Sequence, residues 1–218
     1  MKKFALVAVS ALATVAVSTA HAQEVRVLNW SDYIDEDLLG QFEEETGIKI
    51  TYDVFDSNEV LEAKLLAGNS GYDVVVPSAS FLARQIQAGV FQKLDQSKLP
   101  NSVHLWDEIK EATAMSDPGN AYSINYMWGT TGIGVNTGEV AARLGEDYGS
   151  SWDLIFDVDK ISKLSDCGVH ILDAPTEVIP AAMNYLGLDP TSQDPDDIEA
   201  GGKLLETIRP YVTKFHSA

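Results

Sequence analysis

The most informative cluster in the chain is Trp30-Ser31-Asp32-Tyr33, a carboxylate and a hydroxyl flanked by two large aromatic rings. Tryptophan and tyrosine faces attract cations, and a carboxylate accepts charge-assisted hydrogen bonds from an ammonium. Together they suit an alkylammonium, with methylenes against the rings and the charged end on Asp32. The alternative is structural: Trp30 belongs to a core and Asp32 caps the following helix. The tetrapeptide alone leaves both open. Ser78 can donate or accept one hydrogen bond, or cap a helix. Glu177 stands where a carboxylate is favoured by the positive end of a helix whether or not a ligand is present.

These positions follow from an alternation of strand and helix patterns. Residues 25–30 read as a first strand. Asp35 is placed to cap a helix from Glu36 through Leu38, Leu39 and Phe42, with Gly47 as its stop. Residues 48–54 alternate β-branched and polar side chains and read as a second strand. Residues 58–67 read as a helix burying Val60, Leu61, Leu65 and Leu66. Asp73-Val74-Val75-Val76 is a short apolar run typical of a buried parallel strand, and residues 80–88 form the next helix. Further on, residues 139–144, 176–186 and 199–208 read as helices and 169–173 as a strand.

This order predicts an α/β fold with largely parallel sheet. Residues 23–125 suffice for one lobe. Residues 126–136 mix glycine with β-forming residues and read as extended chain crossing between lobes. Residues 137–218 begin a second α/β lobe with too few strands to complete a sheet, so the chain reads as truncated. Ligands of open α/β sheets bind beyond the carboxyl ends of strands. That rule selects Trp30 to Tyr33, Ser78-Ala79-Ser80 and Ala174-Pro175-Thr176-Glu177. If two lobes face each other, Asp32 and Glu177 take opposite ends of a diamine. Trp106, Trp128 and Trp152 read as packing residues, Trp128 on the crossover.

The N-terminus carries an export address. Lys2 and Lys3 precede an apolar stretch from Phe4 to Val17, and Ala20-His21-Ala22 fits a cleavage site, so residues 1–22 are expected to be removed and Gln23 to begin the mature chain. The apolar run is short for a membrane anchor, which needs about 20 residues. The formal net charge is -18, and losing Lys2 and Lys3 makes it two units more negative. That disfavours nucleic acid, whose phosphates need lysine and arginine, and favours encounter with cations. Acidity also serves solubility, so charge permits a cationic ligand without demonstrating one.

No catalytic set stands out. The chain lacks a Gly-x-Ser-x-Gly elbow, a phosphate-binding glycine loop and a His-Glu-x-x-His helix. Asp32 and Glu177 as an acid/base pair of a hydrolase is a remote alternative, since nothing else of a glycosidase is present. Cys167 is the only cysteine, to be paired elsewhere or free. With the scattered His21, His104, His170 and His216 it gives no metal-ligand spacing. No metal and no cofactor is expected.

Asn29-Trp30-Ser31-Asp32-Tyr33-Ile34 closely resembles the opening motif of bacterial periplasmic polyamine-binding proteins, particularly the putrescine-preferring branch. Residues 52–59, 64–68, 72–78, 127–130, 167–169, 173–177 and 209–212 resemble the same family, in order. The resemblance implies a type II-like periplasmic binding protein whose two lobes are joined by crossing strands and close like a hinge. Trp30, Ser31, Asp32, Tyr33 and Ser78 would line the cleft from the first lobe and Glu177 from the second. It implies a monomeric, non-enzymatic carrier that hands putrescine or another polyamine to an inner-membrane ABC permease. Aspartate rather than glutamate at position 32 leans towards putrescine over spermidine. A sensor subunit, or a carrier for spermidine or agmatine, are alternatives. Family members continue well past the motif at 209–212, and the partner of Cys167 is expected in that part.

Overall fold

The computed structural model describes residues 23–217; the export address expected over residues 1–22 lies outside them. The first half is a repeating strand–helix unit: β1 (Glu24–Trp30), α1 (Asp37–Thr46), β2 (Lys49–Phe55), α2 (Asn58–Leu66), β3 (Val74–Val75) and α3 (Ala79–Gln87). The strand order is β2-β1-β3 and both pairings are parallel, with Trp30 opposite Phe55 and Leu28 opposite Val75. Each helix returns the chain to the same edge, so all three strands point their carboxyl ends one way. The loops after Trp30, Phe55 and Val75 therefore share one rim.

The helix ends follow from their residues. Gly47 stops α1 at a φ of 70°, its N–H bonded to the Glu43 carbonyl. Only glycine adopts that left-handed conformation without steric cost. At the other end the Asp35 carboxylate accepts the Asp37 N–H at 3.1 Å. Beneath the sheet, Leu28, Phe55, Leu61 and Leu65 form the core, with Trp30, Tyr72 and Val75 packed against it. The expected burial of Val60 and Leu66 is corrected: they are 50% and 56% exposed. The α2 stripe is narrow and runs through Asn58, Leu61 and Leu65, positions i, i+3 and i+7, which a helix aligns on one face. Asn58 takes the place that an apolar count assigns to Val60.

The chain then passes through α4 (Asp107–Ala114) into irregular structure. Asp117 is fully buried there, and its carboxylate accepts the N–H groups of Ala121, Tyr122 and Ser123 and the Ser123 hydroxyl, all within 3.0 Å. Residues 126–136 carry no helix or strand, so they pair with neither sheet.

The second half comprises α5 (Thr137–Leu144), α6 (Asp153–Phe156), α7 (Val158–Leu164), β4 (His170–Leu172), α8 (Pro175–Tyr185), α9 (Pro195–Ile208) and β5 (Lys214–His216). β4 and β5 pair in parallel, and Leu154, Phe156, Ile161, Val178, Ala182 and Ile208 fill the core. The pairing brings His170 and His216 together, ring nitrogens 3.3 Å apart, although sequence scatters them. Among the described residues no helix is long and apolar enough to cross a membrane.

Gly201 sets the approach of α9 to α8. A β-carbon there would lie 3.0 Å from Met183 Cγ and 3.2 Å from both Ile179 Cγ2 and the Ile179 carbonyl oxygen. The carbonyl is backbone and cannot swing aside. Gly201→Val is expected to destabilise the fold by about 1–3 kcal/mol through overpacking, read as a lower midpoint in urea at unchanged slope. An unchanged midpoint would show that the two helices can separate freely.

Candidate functional site: an acidic depression beside paired aromatic rings

The shared rim of strand ends builds the site. The Ser31 N–H donates to the Phe55 carbonyl at 3.3 Å, which ties the loop after β1 to the end of β2. Asp32 then takes a φ of 59°, in the left-handed region. Aspartate and asparagine tolerate that conformation better than other residues with a β-carbon. The turn leaves the Ser31, Asp32 and Tyr33 side chains exposed. The capping alternative for Asp32 is not what occurs: α1 begins at Asp37, and Asp35 takes its N–H.

Trp30 does two things. It is half-buried, with its ring centroid 4.5 Å from that of Phe55 and 6.1 Å from that of Tyr33. The indole thus packs against the core and also neighbours an exposed phenol. The Tyr33 carbonyl accepts a hydrogen bond from the Tyr126 hydroxyl, which anchors this turn to the chain that leaves Asp117.

Beside the turn lies an open depression of about 570 Å³, bounded by Asp32, Ile34, Asp35, Glu36, Tyr52, Asp53 and Val54. Four of these seven residues are carboxylates and none is basic, so an anionic guest would meet repulsion and no counter-charge. Asp53 is held by the Tyr72 hydroxyl at 2.8 Å. Burial raises the Tyr52 phenol above its ordinary pKa, and its buried hydroxyl has no hydrogen-bond partner among the described residues. It stays neutral near pH 7. Among the described residues no group of three or more His, Cys, Asp or Glu is arranged to hold a metal.

Of the six expected site residues, Asp32 lines this depression and Trp30, Ser31 and Tyr33 share its turn. Ser78 and Glu177 do not line it. Ser78 is the N-cap residue of α3, but its side chain makes no capping bond; its hydroxyl accepts from Asn58 instead. Glu177 is in the first turn of α8, and its carboxylate accepts the Thr131 hydroxyl at 2.7 Å. Tyr126 and Thr131 thus bond the first-half turn and the second-half helix from one short stretch. Sequence reasoning missed Asp35, Glu36 and Asp53 as lining residues. It read the first two only as helix-start residues, and strand alternation does not say which way Asp53 faces a ligand.

Trp106 and Trp128, expected as packing residues, are 63% and 60% exposed and lie against each other at 6.1 Å. Trp106 immediately precedes α4, and Trp128 lies in the stretch without helix or strand. Trp152 does pack, stacked on Phe156 at 5.4 Å. Cys167 is exposed and unpaired among the described residues, its thiol donating to the Leu164 carbonyl.

Parallel β/α units that gather strand-end loops on one rim, followed by a second α/β unit, define the two-lobed, type II-like fold of periplasmic binding proteins. The model of the family described as bacterial extracellular solute-binding protein matches residues 37–217, and the chain belongs to that family. It is 54% identical over 223 residues to the putrescine-binding periplasmic protein SpuD of Pseudomonas aeruginosa (strain UCBPP-PA14), covering 100% of this chain and 61% of the relative. It is 52% identical over 212 residues to the putrescine-binding periplasmic protein PotF of Escherichia coli (strain K12), covering 95% and 57%. Among solved structures, the spermidine/putrescine ABC transporter substrate-binding protein PotD of Streptococcus pneumoniae superposes with a TM-score of 0.67 at 31% identity, covering 89% of this chain and 57% of that one. The chain spans about three-fifths of the length of the curated relatives it matches.

Proposed function

We propose that this protein is the periplasmic, non-enzymatic binding component of a polyamine ABC transporter, and that it carries putrescine or a close relative to an inner-membrane permease. The observation that carries this reading is the acidic depression, free of basic side chains, beside Trp30 and Tyr33. An alkylammonium satisfies both parts: its charge meets carboxylates and its methylenes meet rings. The names of the relatives, putrescine-binding periplasmic proteins at 54% and 52% identity, support the same ligand class.

In this reading residues 23–125 form the first lobe, 126–136 the crossover and 137–218 the part of the second lobe in this chain. Asp32 binds one ammonium between Trp30 and Tyr33, with Ser31 and Ser78 at the same rim. Glu177 meets the far ammonium when the lobes close. The carrier works as a monomer and without a cofactor, and nucleic acid is no partner for so acidic a surface.

Titration calorimetry with putrescine, spermidine, agmatine and glutamate tests the reading. Saturable binding of the amines with none of glutamate is expected. Binding of glutamate, or of none of the four, refutes it, and putrescine altered after incubation would show an enzyme.

A further inference from the structure

The motif Tyr52 to Glu59 contains a residue that the proposed site does not use, Asn58. It is 9% exposed, on the buried stripe of α2. A carboxamide there must find partners, since leaving one unpaired costs about 1–3 kcal/mol. Its partners are both on Ser78, 20 residues away. Asn58 Oδ1 accepts the Ser78 backbone N–H at 3.0 Å, and Asn58 Nδ2 donates to Ser78 Oγ at 3.0 Å. The backbone N–H can only donate, so it fixes which end of the amide is oxygen. The NH₂ end then necessarily faces the hydroxyl.

Side-chain capping of either helix does not explain the pair. The N-terminus of α2 is capped by Ser57, whose hydroxyl accepts the Val60 N–H at 3.3 Å. Helix α3 uses the Ser78 carbonyl, which accepts the N–H groups of Phe81 and Leu82, and not the Ser78 side chain. What the pair does achieve is orientation. A hydroxyl has one proton and two lone pairs. Asn58 occupies one lone pair and, having only donors on that side, cannot take the proton. The second lone pair and the proton are therefore turned away from Asn58, at the carboxyl end of β3.

We infer that Asn58 is a positioning residue that presents the Ser78 hydroxyl to an ammonium ligand. The inference rests on the proposed amine-binding function and deepens it. An ammonium offers three N–H donors and no acceptor, so the lone pair that faces away from Asn58 is what Ser78 can contribute. Without Asn58 the hydroxyl gains orientations that aim its proton or lone pairs elsewhere, and restricting them becomes part of the cost of binding.

A double-mutant cycle on putrescine affinity tests this, using Ser78→Ala, Asn58→Ala and both together. Each single change is expected to weaken binding about tenfold, and the double change also about tenfold, because residues acting through one contact do not add. A loss of about a hundredfold in the double variant, the product expected of independent sites, overturns the positioning role. So does either single variant that binds as the wild type does. If Asn58→Ala does not fold, Asn58→Asp replaces it in the cycle. It keeps the acceptor for the Ser78 N–H but removes the donor to Oγ, and the same non-additivity with Ser78→Ala is expected. Wild-type protein that binds no amine sinks the functional reading itself. Wild-type binding with additive losses sinks only the role of Asn58.

Discussion

Asp32→Asn is expected to weaken putrescine binding at least tenfold, about 1.4 kcal/mol, while leaving the unfolding midpoint unchanged. The substitution is nearly isosteric; it removes the charge and turns one acceptor oxygen into an NH₂ donor. Asparagine also accepts the left-handed φ of 59° that this turn demands, so the backbone has no reason to move. Asp32 caps nothing, because Asp35 serves the start of α1. An affinity loss therefore reports the carboxylate and not the turn. Asp35, Glu36 and Asp53 remain to attract the ligand, so the association rate should fall less than the lifetime of the complex shortens. Surface plasmon resonance separates the two. Unchanged affinity in a folded variant would remove Asp32 from the site and leave the neighbouring carboxylates to explain amine binding.

The second large effect is expected far from that turn. Asp117→Ala should destabilise the fold by roughly 3 kcal/mol, since hydrogen bonds to a charged acceptor are worth more than neutral ones. The buried carboxylate closes the loop from Asp117 to Ser123 by collecting three backbone N–H groups and a hydroxyl. Alanine leaves those donors facing a void. Urea unfolding gives the magnitude, and hydrogen exchange at Ala121, Tyr122 and Ser123 gives the location. Loss of protection confined to these amides, with no change in global midpoint, would mean that the loop opens by itself without carrying the fold.

The two halves were legible in the sequence for different reasons. In the first, strand and helix periods alternate cleanly, and Gly47 marks a stop that its φ confirms. The parallel sheet followed from that alternation. In the second half, β5 is three residues of mixed character, Lys214–His216, and is a strand only because β4 lies beside it. Helices α6 and α7 are 4 and 7 residues long, too short for a helical period to register. Long-range pairing and brief helices leave no local signature.

The site divides in the same way. The strand-end rule pointed to the turn at Asp32, which borders the depression, because that rule depends only on topology. It could not find Asp53, which reaches the depression from a neighbouring strand, nor Asn58, a polar residue on a stripe that hydrophobic counting reserves for apolar ones. Ser78 was singled out for its location, but its tie to Asn58 needed the register of two helices that sequence does not supply.

The left-handed backbone at Asp32 limits the alphabet available to anyone redesigning ligand preference. A longer carboxylate is the intuitive way to shift a site between amines of different length. Glutamate at a φ of 59° would strain the backbone by roughly 1–2 kcal/mol, offsetting much of what a better-placed charge contributes. Position 32 thus admits aspartate, asparagine and glycine readily: charge, polarity or nothing, but not reach. A glutamate there, the residue that would lean towards spermidine, has to carry that backbone cost or be accompanied by changes that relax the turn.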